Sequence, residues 1–196
     1  VDLTTLSSTM VYSEVYDMLT TPENYLGKTV KSAFAISECS DVYEFLANLL
    51  YSEKGNVCMV EMGMDEADIE RIMKLPYSMI ISDTLYSITD FPHPRAYAMC
   101  PHMIKEYVLK RNVLPLKTAI RKMTSMQAER MHYTDRGCLV KGAYADMLLF
   151  RPENLKDNAT FEHGKVLSSG IDYAFINGIP SWKDEKQISK AGRYLI

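Results

Sequence analysis

The hydrophobic period changes about two-thirds of the way along this chain of 196 residues, and that change limits what it can fold into. Up to about residue 131, apolar side chains recur at helical spacing, with short β-prone runs between them. From residue 132 the apolar residues fall in brief runs separated by Gly, Pro and Asn, the pattern of short strands joined by turns. An α/β body followed by a small β layer is the architecture these two periods predict.

Three regions follow from the punctuation. In residues 1–64, Leu3 to Met10 is β-compatible and Ser13 to Leu19 reads as a short helix. Asp41 with Glu44 three positions on matches a capping box. It opens a helix to about Tyr51 in which Val42, Phe45, Leu46, Leu49 and Leu50 share a face, and Val57 to Met62 is β-prone. In residues 65–131, Asp65 caps a helix bearing Ile69, Ile72 and Met73, which Pro76 stops. Ser78 to Asp83 reads as a short buried strand, and a proline-rich loop, Phe91 to Arg95, comes after it. Pro101 suits the first turn of a helix carrying Met103, Ile104, Tyr107 and Val108; Pro115 likewise opens one with Leu116, Ala119, Ile120 and Met123. In residues 132–196, Cys138 to Val140, Asp146 to Phe150 and Ile171 to Ile176 are strand candidates. Asn177-Gly178 is a hairpin signal, because a two-residue type I′ turn needs positive φ at both positions.

Composition excludes several classes of partner. A formal net charge of -3, with both signs mixed along the chain, gives no footprint for nucleic acid or an anionic membrane. No apolar run approaches the roughly 20 residues that span a bilayer, and Val1 opens no signal segment, so a cytoplasmic location is expected. A start on Val rather than Met suggests a chain processed or cut from a larger polypeptide. Cys39, Cys58, Cys100 and Cys138 form no C-x-x-C pair, which argues against a zinc knuckle or a disulfide framework and predicts buried free thiols.

Asp83 is the sharpest candidate for chemistry, since a carboxylate at the C-terminal tip of a strand, before a long loop, stands where α/β enzymes place catalytic groups. A cap or loop residue is the plainer alternative. His93 and Arg95 share that loop, where the guanidinium suits two-pronged recognition of a carboxylate. A loop packed by Pro92 and Pro94, with solvated polar tips, accounts for them equally well. His102, His132 and His163 show neither H-x-H nor H-E-x-x-H spacing, so they offer no self-sufficient metal cage. The chain has no G-x-G-x-x-G, Walker loop or G-x-S-x-G elbow. From the residues alone, the reading stops at an α/β body, a β layer and a possible carboxylate site.

Met79-Ile80-Ile81-Ser82-Asp83, followed by His93-Pro94-Arg95, resembles the "SDG…HPR" region of D-aminoacylases and related N-acyl-D-amino-acid deacylases. Ala119 to Ser125, Ala128-Glu129-Arg130, Asp135-Arg136-Gly137, Gly142 to Asp146, Gly170-Ile171-Asp172 and Ile176-Asn177-Gly178 follow in that family's order. The match covers nearly everything after about Asn24. It implies the C-terminal portion of a metal-dependent amidohydrolase TIM barrel. Residues 1–64 would be late barrel with a lid insertion, 65–131 the last barrel strand and its helices, and 132–196 part of a small β-sandwich.

The resemblance also implies a chemistry. A divalent metal, zinc in most members, would polarise the amide carbonyl of an N-acyl-D-amino acid, and Asp83 would be both metal ligand and general base. Arg95 and His93 would contact the substrate. The family's H-x-H metal ligands are absent from this chain, so it is expected to be inactive alone and to need a missing N-terminal half or an oligomer. Ile81 and Thr84 stand where the family commonly has glycine, Gln127 where proline is usual, and Met131-His132 where a glycine-containing turn is usual. Two alternatives accompany this reading: another amidohydrolase reaction, such as dihydroorotase-like ring opening or dipeptide cleavage, and a non-catalytic structural or interaction piece.

Overall fold

The computed structural model describes residues 5–8, 25, 28, 30–55, 57–60, 64–84, 92–160 and 163–194. They divide between two compact units: Val1–Met64 with Thr84–Ala96 and Thr160–Lys165, and Asp65–Asp83 with Tyr97–Ala159 and Val166–Ile196. The helix expected over Ser13 to Leu19 lies outside the described residues.

In the first unit, β1 (Thr5–Ser8) and β2 (Val57–Val60) pair antiparallel from Thr5↔Val60 to Ser8↔Val57. Two helices, α1 (Val30–Ala35) and α2 (Val42–Ser52), belong to the same unit. Asp41 starts α2 as expected, its carboxylate accepting from the amides of Tyr43 at 2.7 Å and Glu44 at 3.1 Å. The reciprocal half of the box slips outward by one residue: Glu44 accepts from the amide and hydroxyl of Ser40 instead of the Asp41 amide. Phe45 and Ala33 are buried, and Tyr25 meets Phe45 edge-on at 5.3 Å between ring centroids.

In the second unit, Asp65 caps α3 (Glu66–Lys74) by accepting from the Ala67 amide at 2.8 Å. The helix ends at Leu75, whose extended backbone is what a following proline imposes. Next come α4 (Arg95–His102), whose first two residues belong to the first unit, a π-helical segment (Met103–Lys110), α5 (Leu116–Met123) and α6 (Ser125–Arg130). Met103, Tyr107, Val108, Val113, Leu114 and Ala119 form the core, with Ile69, Met73 and Ile80 packed against it. Each large side chain so buried contributes about 1.5–3 kcal/mol. Ile104 is buried too, so all four expected positions on that face are inside, although Ile72 of α3 stays exposed.

Pro101 departs from expectation. It lies inside α4, not at a helix start, and the chain continues past it in π-helical form, with the Arg111 amide bonding Glu106 O five residues back. A proline offers no N–H to the carbonyl four residues earlier, here that of Tyr97. The Ser168 hydroxyl donates to that carbonyl at 2.7 Å. A distant side chain supplies what the proline lacks, and the helix persists.

The β layer is one antiparallel sheet in the order β3 (Met147–Phe150), β4 (Ile171–Ile176), β5 (Ile179–Lys183), β6 (Lys186–Gln187). Asn177 (φ 52°) and Gly178 (φ 80°) turn β4 into β5 with the two positive φ values their sequence predicts. Cys138 to Val140 is not a strand but irregular chain, and Leu139 and Val140 are exposed. The thiols are a second correction: Cys100 and Cys138 are exposed and Cys39 is half-buried, because they fall on outward faces and loops.

Candidate active-site carboxylate and the clamp behind it

The expected strand at Ser78 to Asp83 is irregular chain that joins no ladder among the described residues. Nor is it fully buried: Ser78, Ile80 and Ser82 are half-buried, while Met79, Ile81 and Asp83 face out. Among the described residues, helices supply hydrogen bonds to its first half.

Two residues supply the long-range ones that are seen at Leu75, Ser78 and Ile80. Lys122, on the face of α5 that carries Ala119, is 2% exposed, and its ammonium donates to Leu75 O at 2.6 Å, Ser78 O at 2.8 Å and Ser78 Oγ at 2.9 Å. Its own carbonyl accepts from the Ile80 amide at 3.1 Å. The Gln127 side-chain amide, from α6, donates to Ile80 O and, at 3.3 Å, to Lys122 O. Burial pushes the Lys122 pKa down, with Arg121 adding to the effect. Three acceptors on three ammonium hydrogens oppose that shift, since bonds to the charged form favour it. Neither residue stood out in the sequence as a site residue. The signal was there: Lys122 sits three residues after Ala119 and next to Met123, so its Cβ points to the core side of an amphipathic helix.

Asp83 ends the clamped segment with φ 47°, in the left-handed region. Asp tolerates that conformation better than most residues, and non-glycine residues held there gather at functional sites. The aspartate itself takes this bend, and Ile81 and Thr84, where the resemblance leads one to expect glycine, do not. His132 plays a comparable part after α6: at φ 60° it takes glycine's place in the helix-ending turn, and the Tyr133 amide reaches back to Ala128 O at 2.9 Å.

His93 and Arg95 stand in the first unit, at the start of α4. The Arg95 amide donates to His93 Nδ1 at 3.1 Å and the Ala96 amide to His93 O at 2.9 Å, so His93 caps the helix through both ring and backbone. With Nδ1 accepting, the neutral ring carries its proton on Nε2. Burial lowers the His93 pKa, and the Arg95 guanidinium lowers it further. The Arg95 side chain is exposed.

Among the described residues, no group of three or more His, Cys, Asp or Glu gathers where it could hold an ion. His102 and Lys105 are engaged elsewhere: His102 Nδ1 lies 2.6 Å from Asp157 Oδ2, and Lys105 pairs with the other carboxylate oxygen. No helix is long and apolar enough to cross a membrane among the described residues.

No protein-family model matches the chain. D-aminoacylase of Alcaligenes xylosoxydans xylosoxydans is 38% identical over 133 residues, which make up 67% of this chain and 27% of that protein. N-acyl-D-aspartate deacylase of the same organism is 37% identical over 123 residues, 63% of this chain and 24% of that protein. A crystal structure of D-aminoacylase, described as defining a novel subset of amidohydrolases, matches with TM-score 0.79 at 29% identity, over 96% of this chain and 36% of that one. The chain belongs to the N-acyl-D-amino-acid deacylase family. It spans about a quarter of the curated deacylases it matches and about a third of the solved D-aminoacylase. Another D-aminoacylase structure, at TM-score 0.79 and 28% identity, is described by its binuclear metal centre, with one-metal activation and second-metal attenuation. N-acyl-D-glutamate deacylase of Bordetella bronchiseptica, solved with zinc and a phosphonate mimic of the tetrahedral intermediate, shares the fold at TM-score 0.75 and 23% identity.

Proposed function

We propose that this deacylase-family chain forms the C-terminal part of an enzyme that hydrolyses the amide of N-acyl-D-amino acids, with Asp83 as its general base. The carrying observation is the carboxylate itself: the Asp that matches the family's Ser-Asp motif ends a clamped segment and faces outward in a left-handed conformation. In this reading, residues 65–131 supply the last strand and helices of a TIM barrel, 1–64 the late barrel with its lid, and 132–196 part of a β-sandwich.

The reaction asks two things of Asp83. Its carboxylate takes a proton from the attacking water as the C–O bond forms, then delivers it to the amide nitrogen as the C–N bond breaks, leaving a carboxylic acid and a free D-amino acid. Arg95, exposed at the head of α4, would grip the substrate carboxylate, and His93 would contact the substrate beside it. A divalent metal, zinc in this reading, would supply Lewis-acid activation, with Asp83 as one ligand and the others from outside the described residues.

The test is Asp83→Asn in the full-length protein, assayed on N-acetyl-D-amino acids. Loss of a general base costs about 100-fold to 10,000-fold in kcat. Asp41→Asn, at a helix cap where Asn serves as well, should leave activity unchanged. Near-normal turnover in Asp83→Asn with metal bound would remove the assignment. A panel that adds cyclic amides and dipeptides separates the other amidohydrolase reactions.

A non-catalytic interaction piece is the second reading, favoured by apolar side chains left open on the second unit. Leu139, Val140, Leu148 and Leu149 are 78%, 61%, 57% and 57% exposed. Surfaces of this kind call for cover, either by the N-terminal half of a longer chain or by another copy. Light scattering that finds a stable monomer of this chain would count against it.

A further inference from the structure

We infer that Lys122, with Gln127 beside it, is a positioning residue for Asp83, fixing the segment from Leu75 to Ile80 so that the carboxylate three residues on is held in place. The inference rests on the assignment of Asp83 as the base. Burying an ammonium is unfavourable unless its donors are satisfied, and apolar residues often replace such groups without loss of stability. A lysine kept at 2% exposure, with all its bonds directed at one short segment, is better explained by what it orders.

The bonds are distributed to remove freedom along the whole segment. Lys122 Nζ holds Leu75 O, Ser78 O and Ser78 Oγ, the Lys122 carbonyl holds the Ile80 amide, and Gln127 holds Ile80 O. Ile80 is thus secured through both its N–H and its C=O, as a strand residue would be by two neighbours. From there to Asp83 is three residues, at most roughly 10 Å of chain at about 3.3 Å per residue. A clamp at Ile80 limits where the carboxylate three residues on can stand.

Misplacing a reacting group by about 1 Å can cost on the order of 100-fold in rate. Lys122→Met keeps length and apolar bulk while removing the donors. In the full-length protein it should lower kcat by about 10-fold to 100-fold and leave KM within about twofold. The deciding measurement is a double-mutant cycle with Asp83→Asn. If Lys122 acts through Asp83, Lys122→Met should cost less than about twofold once the carboxylate is gone. Equal fold-losses in both backgrounds would mean a general structural role and overturn the inference, as would an unchanged kcat in Lys122→Met alone. An Asp83→Asn variant with normal turnover would overturn the base assignment, and the positioning role with it, so the two failures are told apart. Should Lys122→Met not fold by circular dichroism, Gln127→Ala carries the same cycle with the ammonium in place. Its expected loss is about 3-fold to 10-fold, and additivity with Asp83→Asn overturns the inference in the same way.

Discussion

Ser168→Ala tests the account of Pro101 as a helix-interior proline served from outside. The Ser168 hydroxyl lies 2.7 Å from Tyr97 O, the carbonyl whose ordinary α-helical donor would be the amide at position 101. Removing that hydroxyl deletes one part-buried hydrogen bond, worth about 0.5–1.5 kcal/mol net, and leaves an acceptor partly desolvated. The expected loss is therefore about 1 kcal/mol, read as a lower urea midpoint at unchanged m-value. The informative partner is Pro101→Ala, which restores an N–H four residues after Tyr97. In that background Ser168→Ala should cost no more than a few tenths of a kcal/mol, a coupling of about 0.5–1 kcal/mol. Full additivity of the two changes would refute the reasoning, since it would show that Ser168 and residue 101 do not serve the same carbonyl.

Two further outcomes follow from the second unit. Gly178→Ala and Gly170→Ala both place a side chain at positive φ, but only at Gly170 would the new β-carbon overlap the Asn154 carbonyl. Gly178→Ala should thus cost about 1 kcal/mol, and Gly170→Ala at least about twice that, as compared by thermal melts. For Asp157, burial pushes the pKa up, but the hydrogen bonds from Lys105 and His102 outweigh it and hold the carboxyl below its usual range. A depressed folded-state pKa gives stability that is complete above about pH 4 and is lost as pH falls through the folded value. Asp157→Asn should therefore flatten the acid limb of a stability–pH curve, and an unchanged limb would refute the assignment.

Much of this architecture is local and was legible in the residues. Asp41 and Asp65 cap their helices because a carboxylate needs to reach only two or three residues along the chain. Asn177-Gly178 makes its turn because those two residue types tolerate positive φ wherever they occur. Met103, Ile104, Tyr107 and Val108 all go inside, since that spacing puts them on one face even when the helix is wound to π-form. The Ser-Asp and His-Pro-Arg motifs pointed to the deacylases, and the relatives agree.

Long-range partners decided the rest. Lys122 meets Leu75 and Ser78 across 47 and 44 positions, and Ser168 meets Tyr97 across 71. Periodicity cannot anticipate such pairs, because hydrophobic pattern reports which side of an element faces in and not which polar group waits there. The same limit explains Ser78 to Asp83, which has a strand's composition yet lacks a ladder among the described residues: composition sets a preference for extended backbone, whereas a ladder needs a neighbour. What the residues alone determined was where a carboxylate ends a β-prone segment; that a buried lysine and a glutamine bond that segment from Leu75 to Ile80 was decided only when the helices folded back.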